Sequence, residues 1–397
     1  MPITADSVRP LPPIAKQVDA ELARMDVEID WLRALSPIDN EALRRSFEDS
    51  GRTAIPPLRY NDLDLDLQHA RAQLLALPVE DIESPLLSGL LAEKQRELDR
   101  QIELIRLRGT DGFVNASIDL FGGVEPPLHK LAQEILLNVQ CGARLQADAG
   151  IDDVVSAVEA EQDWYRERSE DFGCEVIVDE DLNSMMMVSH GRLYLNAHVR
   201  LPRARVQPLV QHEIGTHVVT RHNGRRQPLT QLAVGLAHYD ALQEGLGVLA
   251  EYVAGYLPGE RLRVLAARVV AAQMVLHGED VPEIFDLLHN THGLPTDDAF
   301  DIAVRARRGG GLTKDAVYLR GLRDLLDYLR DDGNFESLFI GKFALSHHVV
   351  LAQLMDEGWV AAPELLPRYC STTQAQARLE RCRTTPVAEF FQEEPAA

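Results

Sequence analysis

The chain has 397 residues, 45% of them hydrophobic, which is enough for one large domain or two moderate domains with buried cores. Its formal net charge of −22 argues against nucleic acid as the main partner. No apolar stretch is long enough for a membrane span, and the N-terminus lacks the apolar region of a signal peptide. Four cysteines without CxxC spacing favour free thiols, as in a reducing cytoplasm. From these features together we expect a cytoplasmic protein that binds neither nucleic acid nor membrane.

The N-terminal part of the chain has the spacing of amphipathic helices. Apolar residues recur every three or four positions, and prolines separate the segments. The spacing predicts helices near 15–35, 39–50, 62–78 and 84–108. We therefore expect an N-terminal helical region over residues 1–110 and a second domain over residues 111–397.

The centre of the chain holds the β-strand signal. Residues 111–123 predict a turn and a short strand, and helices are predicted near 126–139 and 152–169. Strands are predicted over 174–178, 184–189 and 192–199, the last two joined by a tight hairpin at His190-Gly191. Helical periodicity resumes near Arg205 and continues almost to the end. The fold class that follows is α+β, predominantly α-helical, with a small sheet just before the helix described next.

That helix, predicted over 205–222 and ending at Asn223-Gly224, carries the motif HEIGTH at residues 212–217. His212 and His217 are five residues apart, roughly 140° around an ideal helix, whereas H-E-x-x-H places its histidines about 40° apart. Both imidazoles can face one metal ion only if the helix is widened by a π-turn at 214–216, for which Gly215 offers backbone freedom. The alternative is two histidines with ordinary hydrogen bonds.

A carboxylate downstream completes a metal-ligand set. Glu244 lies in QEGLG at the start of an apolar helix, and two histidines with one carboxylate leave zinc an open position, as in catalytic sites. Glu244 could instead be an acid favoured by the helix dipole. Glu251, two turns further along, is a rival third ligand.

HEIGTH, QEGL and the stretch RARRGGGLTKDAVYL at residues 305–319 together resemble the microtubule-associated tyrosine carboxypeptidase family, whose bacterial relatives are described as QEGLA-motif proteins. The resemblance covers most of the chain and implies a zincin-like zinc metallopeptidase domain. It implies zinc ligation by His212, His217 and Glu244, with Glu213 as general base. Gly247 replaces the alanine of the QEGLA label, which we expect to leave the ligand intact.

The sequence also offers candidates for the rest of the site. Tyr318 is the candidate donor to the oxyanion, with Tyr239 and His238 behind it. A carboxypeptidase must also bind the C-terminal carboxylate of its substrate, for which a basic side chain is suited. The basic candidates surround the Gly309-Gly310-Gly311 segment, with Arg308 or Lys314 preferred. The edge of the strand at 192–199 could pair with an extended peptide. The complete set of candidate substrate-binding residues is Arg305, Arg307, Arg308, Lys314, Asn196 and His198.

We therefore predict a zinc-dependent carboxypeptidase acting on peptide or protein C-termini. The alternatives are another zinc hydrolase, such as an endopeptidase or amidase, and a metal-binding regulatory protein without peptidase activity. The family's eukaryotic members remove a C-terminal tyrosine from tubulin. Because an acidic tubulin tail would be repelled by a chain of charge −22, we expect a different substrate, one with an aromatic or bulky C-terminal residue.

Overall fold

Helices dominate the fold, with one three-stranded sheet in the middle of the chain, so the α+β, predominantly helical class is confirmed. The structure is a computed structural model that describes residues 8–392, apart from 30, 39, 64, 143–144, 181, 183 and 309–310, together with residue 395. Within these ranges no helix is both long and apolar enough to cross a membrane.

The helices predicted before the sheet are present, and local signals account for their ends. The Ser84 hydroxyl accepts the Leu87 N–H at the start of one helix, and Pro85 is its first residue. Asp66 caps the preceding helix in the same way. The helices that precede the sheet are α1 (Pro13–Ile29), α2 (Trp31–Ala34), α3 (Asn40–Asp49), α4 (Leu67–Leu75), α5 (Pro85–Arg106), α6 (Phe113–Phe121), α7 (Pro126–Asn138) and α8 (Ile151–Arg166).

Helix α6 corrects the prediction of a turn and short strand at 111–123. Phe113, Ala116 and Leu120 recur at helical spacing and are buried. Gly122, at φ 77°, ends the helix, because glycine takes this left-handed conformation without steric cost. The glycines that bound this segment therefore mark the two ends of a helix.

The sheet lies between α8 and the motif helix. Its strands are β1 (Glu175–Asp179), β2 (Met186–Ser189) and β3 (Arg192–Asn196), in the order β1-β3-β2, with β1 parallel and β2 antiparallel to β3. The hairpin prediction is confirmed, since His190 and Gly191 both have positive φ. The prediction that a peptide pairs with the edge of 192–199 is wrong, because β3 is the central strand and is paired on both sides.

The rest of the chain is helical. The α-helices after the sheet are α9 (Val206–His212), α10 (Val219–Arg225), α11 (Gln231–Val234), α12 (Asp240–Val253), α13 (Gly259–Leu276), α14 (Val281–Asp286), α15 (Thr296–Arg307), α16 (Ala316–Arg330), α17 (His348–Asp356) and α18 (Thr373–Cys382). Two π-helical turns are Glu213–Val218 and Leu287–Thr291. Single 3₁₀ turns are Val79–Asp81, Arg203–Arg205, Glu336–Phe339, Leu345–His347, Arg368–Ser371 and Val387–Glu389.

The motif helix does not stop at Asn223-Gly224 as predicted, since α10 continues to Arg225. Asn223 is fully buried, and its amide donates to the carbonyls of Phe339 and Leu365 and accepts the Leu365 N–H. A Cβ at Gly224 would lie 2.1 Å from the Leu232 carbonyl oxygen. Asn223 and Gly224 therefore lie inside the helix and pack against neighbouring segments, whereas the sequence pattern predicted that they end it.

Helix α12 is the central helix around which the site is built. All residues from Gly245 to Val253 are buried. Glycines allow its backbone to touch that of α16: a Cβ at Gly245 would lie 2.6 Å from the Gly321 carbonyl oxygen, and one at Gly321 only 1.8 Å from that of Ala241. This close crossing sets the start of α16 beside the start of α12.

The N-terminal helices pack directly on the segment that leads into α12. Asp19 of α1 accepts the N–H groups of Thr230 and Gln231 at 2.7 and 3.0 Å, and Glu97 of α5 accepts that of His238 at 2.7 Å. One continuous apolar core extends from Leu11 to Phe390. The domain boundary at residue 110 stays a prediction.

Candidate metal centre

A π-turn over Glu213–Val218 separates α9 from α10 and brings His217 back over His212. Hydrogen bonds in such a turn run from residue i to i+5, so residue i+5 takes the place that i+4 has in an α-helix. The two ring centroids are 5.1 Å apart. The predicted widening is confirmed, but Gly215 is not among the residues of positive φ. Glycine is needed at this position because there is no room for a side chain: a Cβ there would lie 2.5 Å from Gln211 Oε1.

Three potential metal ligands converge at this turn. One donor atom each from His212, His217 and Glu244 lie within 4.8 Å of one another. His212 Nε2 is 3.7 Å from Glu244 Oε2. Two imidazole nitrogens and one carboxylate oxygen, largely removed from solvent, are a donor set that a divalent cation such as Zn²⁺ accepts. The residues therefore fit a divalent metal ion.

Helix α12 also holds the outer nitrogen of each histidine. Glu251 Oε1 lies 2.9 Å from His212 Nδ1, and Gln243 Oε1 lies 3.3 Å from His217 Nδ1. Gln243 is itself fixed by Thr220, whose hydroxyl donates to the same oxygen at 2.8 Å. With each Nδ1 engaged, each Nε2 is left for a metal ion. Glu251, the rival ligand in the sequence, thus faces the opposite side of His212 from Glu244.

The carboxylate of Glu251 is fully buried and has two cationic neighbours. Arg205 and Arg261 approach its oxygens at 3.6 and 3.4 Å. A buried carboxylate without such partners would be costly. Burial alone would lower the pKa of His212, but hydrogen bonds to Glu244 and Glu251 raise it to about 10. Burial lowers the pKa of His217 to about 4, so the two histidines differ in charge before a metal binds.

Gly247 has a role at the site that the sequence did not reveal. A Cβ at this position would lie 2.4 Å from His212 Nε2 and 2.5 Å from its Cε1. The imidazole therefore occupies the space where the alanine of the QEGLA label would place its methyl group. Because Glu251 holds the other side of the ring, His212 has little freedom to withdraw.

We expect Gly247→Ala, which restores the QEGLA sequence, to weaken metal binding about tenfold or more, because the methyl group displaces His212 from its orienting partner. Competition with a chromophoric chelator measures the affinity directly. Gly89→Ala, inside α5, is the matched control, since it also changes a glycine within a helix and a Cβ there meets no neighbour within 4 Å. Unchanged affinity in Gly247→Ala would show that the ring moves aside without cost.

Glu213 lies on the buried first turn after His212 and is tied to the sheet. Its Oε2 accepts the Val188 N–H of β2 at 3.0 Å. Burial, reinforced by the charges of Glu244 and Glu251, raises the pKa of Glu213 to about 7. A carboxylate with a pKa in this range can take and return a proton near neutral pH.

The segment around α16 forms a second wall of the site. Tyr318 lies in the first turn of α16, and burial followed by the charge of Glu244 raises the pKa of its hydroxyl. Lys314 is paired with Asp240 at 3.0 Å, and Arg305 makes a bidentate pair with Asp315 at 2.6 and 2.9 Å. The structure therefore brings three of the candidates to the neighbourhood of Glu244, two of them with their charges already neutralised.

The remaining candidates are less directly placed. Arg307 pairs with Asp280. Asn196 donates to the Leu182 carbonyl and accepts the His198 N–H, so its amide has a structural role, whereas the side chain of His198 is exposed. Gly309 and Gly310 lie outside the described residues. Of the reserve oxyanion donors, His238 has a half-exposed side chain and the ring of Tyr239 packs against Gly235.

Several cations near the site form no ion pair within the described ranges, among them Arg308, Arg268 and Lys342. The Nε atoms of Arg308 and Arg268 are buried without a hydrogen-bond partner there. Arg268 lies over the Tyr318 ring, with its Cζ 5.1 Å from the centroid. Sequence reasoning singled out Arg308 but missed Arg268 and Lys342. For Arg268, the signal in the sequence was a single arginine within the apolar run of α13. No signal of comparable strength pointed to Lys342.

A buried His₂Glu cluster with a further glutamate beside it defines a candidate catalytic metal centre on a predominantly helical α+β fold. The chain belongs to the microtubule-associated tyrosine carboxypeptidase (MATCAP) family, whose model matches residues 45–385, nearly the whole chain. This membership indicates a carboxypeptidase-type enzyme with a peptide or protein as substrate. No curated protein matches the chain.

Proposed function

We propose that the protein is a zinc-dependent carboxypeptidase with a zincin-like catalytic domain. The observation that supports this most strongly is the convergence of His212, His217 and Glu244 beside the buried carboxylate of Glu213, in a chain of a carboxypeptidase family. The four free cysteines favour a reducing cytoplasm as its location.

His212, His217 and Glu244 would hold the ion, and bound Zn²⁺ acts as a Lewis acid that acidifies water and polarises a carbonyl. Glu213 then acts as general base. Because the Val188 N–H holds Oε2, Oε1 remains available to take a proton from the attacking water. The same carboxyl group passes that proton to the amine that leaves.

Tyr318 is the proposed donor to the oxyanion that develops on the scissile carbonyl. Burial and the charge of Glu244 raise the pKa of its hydroxyl, so the group keeps its proton at neutral pH and can donate it in a hydrogen bond. The glycine contacts between α12 and α16 bring the start of α16, which carries Tyr318, close to the start of α12.

Arg308, with Arg268 beside it, is the proposed binding site for the C-terminal carboxylate of the substrate. A guanidinium offers two parallel N–H donors to a carboxylate. Arg305, Arg307 and Lys314 are already paired with Asp315, Asp280 and Asp240, which makes them weaker candidates. Because Asp315 pairs with Arg305, the positive charges of Arg308 and Arg268 are available to attract a substrate anion.

Mass spectrometry of peptides that differ only in their last residue tests the proposal. We expect the loss of one C-terminal residue, fastest for aromatic or bulky residues, with about one zinc per chain, activity lost on chelation and restored by zinc. Internal cleavage would support the endopeptidase alternative. Full zinc occupancy without cleavage of any peptide would support the regulatory metal-binding alternative.

A further inference from the structure

Lys342 is a mostly buried cation whose backbone is held on both sides. Its N–H donates to the Leu232 carbonyl at 2.7 Å, and its carbonyl accepts the Leu236 N–H at 3.0 Å. Its Nζ lies 5.5 Å from the centre of the Tyr239 ring. That ring is itself pressed against Gly235, where a Cβ would lie 2.3 Å from it. The position of this ammonium group is therefore defined by the segment that leads into α12.

Each carboxylate whose charge acts on Lys342 is already engaged by another group. Asp240 pairs with Lys314 at 3.0 Å, and Asp26 lies 3.5 Å from Lys94. Glu244 belongs to the metal cluster. Within the described part of the chain no carboxylate forms an ion pair with Lys342. A buried charge without a partner is costly, which calls for an anion from outside the chain.

Arg221 is a second cation close to Lys342, and its charge increases the need for an anion at this place. The guanidinium of Arg221 lies against the hairpin turn, where a Cβ at Gly191 would be 2.2 Å from its Cζ, and it too has no ion pair among the described residues. Burial, and then the charge of Arg221, lowers the pKa of Lys342 to about 8. This direction is the one expected of an ammonium group that lacks an anionic partner.

Lys342 lies beside the start of the helix that carries Glu244. Its Nζ faces the ring of Tyr239, the residue that directly precedes α12, and Glu244 lies in the second turn of that helix. Arg268, proposed together with Arg308 for the C-terminal carboxylate, instead lies over the ring of Tyr318 on α16. Two distinct groups of cations without an ion pair among the described residues thus lie near the cluster.

We propose that Lys342 binds an anionic oxygen of the peptide substrate at the metal centre. This inference rests on the proposed peptidase function. The oxygen has two possible sources: the C-terminal carboxylate, or the oxyanion formed when water attacks the scissile carbonyl. In either case the ammonium group supplies up to three N–H donors with a full positive charge.

Lys342→Met tests the inference, because methionine keeps most of the length and the apolar contact with Tyr239 but removes the charge. If Lys342 binds the oxyanion, we expect kcat to fall about 100-fold at a nearly unchanged KM. If it binds the carboxylate, we expect KM to rise about 10- to 100-fold. Lys342→Arg, which keeps the charge, should restore part of either loss. Lys16→Met on the exposed face of α1 is the matched control.

A binding measurement separates the two sources without turnover. In a Glu213→Gln background, calorimetry compares a peptide with a free C-terminus against the same peptide with a C-terminal carboxamide. Loss of the preference for the free acid in Lys342→Met identifies the carboxylate; a retained preference with lowered kcat identifies the oxyanion.

Kinetics and binding both equal to those of Lys16→Met, with zinc content unchanged, would overturn the inference. This outcome differs from failure of the proposed function, in which the zinc-loaded wild-type protein cleaves no peptide at all.

Discussion

Glu213→Gln is expected to lower kcat/KM for peptide hydrolysis about 100- to 10,000-fold while zinc still binds at full stoichiometry. The glutamine oxygen can still accept the Val188 N–H that anchors the side chain to β2. The amide that replaces the second oxygen cannot take a proton from water. Because Glu213 is not one of the three converging donors, the metal ligands should remain in place.

Steady-state kinetics and elemental analysis of the same preparation measure the two effects separately. Glu159→Gln, on the exposed face of α8, is the matched control and should behave as wild type. Activity within tenfold of wild type in Glu213→Gln would exclude the carboxylate as general base. Loss of zinc would instead indicate that Glu213 contributes to metal binding.

The second expected result distinguishes the two glutamates of α12 that flank His212. Glu244→Gln should remove stoichiometric zinc, since it replaces the carboxylate that converges with both histidines. Glu251→Gln should weaken zinc binding by about 10- to 100-fold without abolishing it, because Glu251 contacts the outer nitrogen of His212. Loss of its charge also leaves Arg205 and Arg261 buried without a carboxylate.

Chelator competition measures both zinc affinities, and the visible spectrum of the Co²⁺-substituted proteins reports the ligand geometry. We expect Glu251→Gln to retain a four-coordinate spectrum with shifted intensity, and Glu244→Gln to lose it. Near-equal affinities in the two variants would contradict the division into ligand and orienting group. Full zinc occupancy in Glu244→Gln would remove it as the third ligand.

The parts of the site that lie within one helix could be predicted from the sequence. The five-residue spacing of His212 and His217 already required a widened turn, since helix geometry depends on local hydrogen bonds. Glu244 was recognisable because QEGL accompanies HEIGTH. The prediction for 111–123 is wrong for a local reason: glycines at both ends are typical of turns, whereas the spacing of Phe113, Ala116 and Leu120 is helical.

Contacts between distant segments could not be predicted in this way. Arg305 and Lys314 looked like free cations for a substrate, but the structure pairs them with Asp315 and Asp240. The edge proposed for β3 is occupied because β1 adds to it in parallel, and strand order depends on the whole chain. Gly247 looked like a neutral replacement until the ring of His212 was seen in the space of its missing methyl group.

By itself, the sequence determined the helical class, the small central sheet, the hairpin and the histidine spacing that demands a π-turn, because these depend on periodicity and hydrogen bonds over a few residues. Only the tertiary structure decided that Glu251 orients His212 from the side opposite Glu244, and that Lys342 has no carboxylate partner among the residues that the structure describes. Whether a buried charge is neutralised depends on which helices pack around it, and the separation of two residues along the chain does not specify that packing.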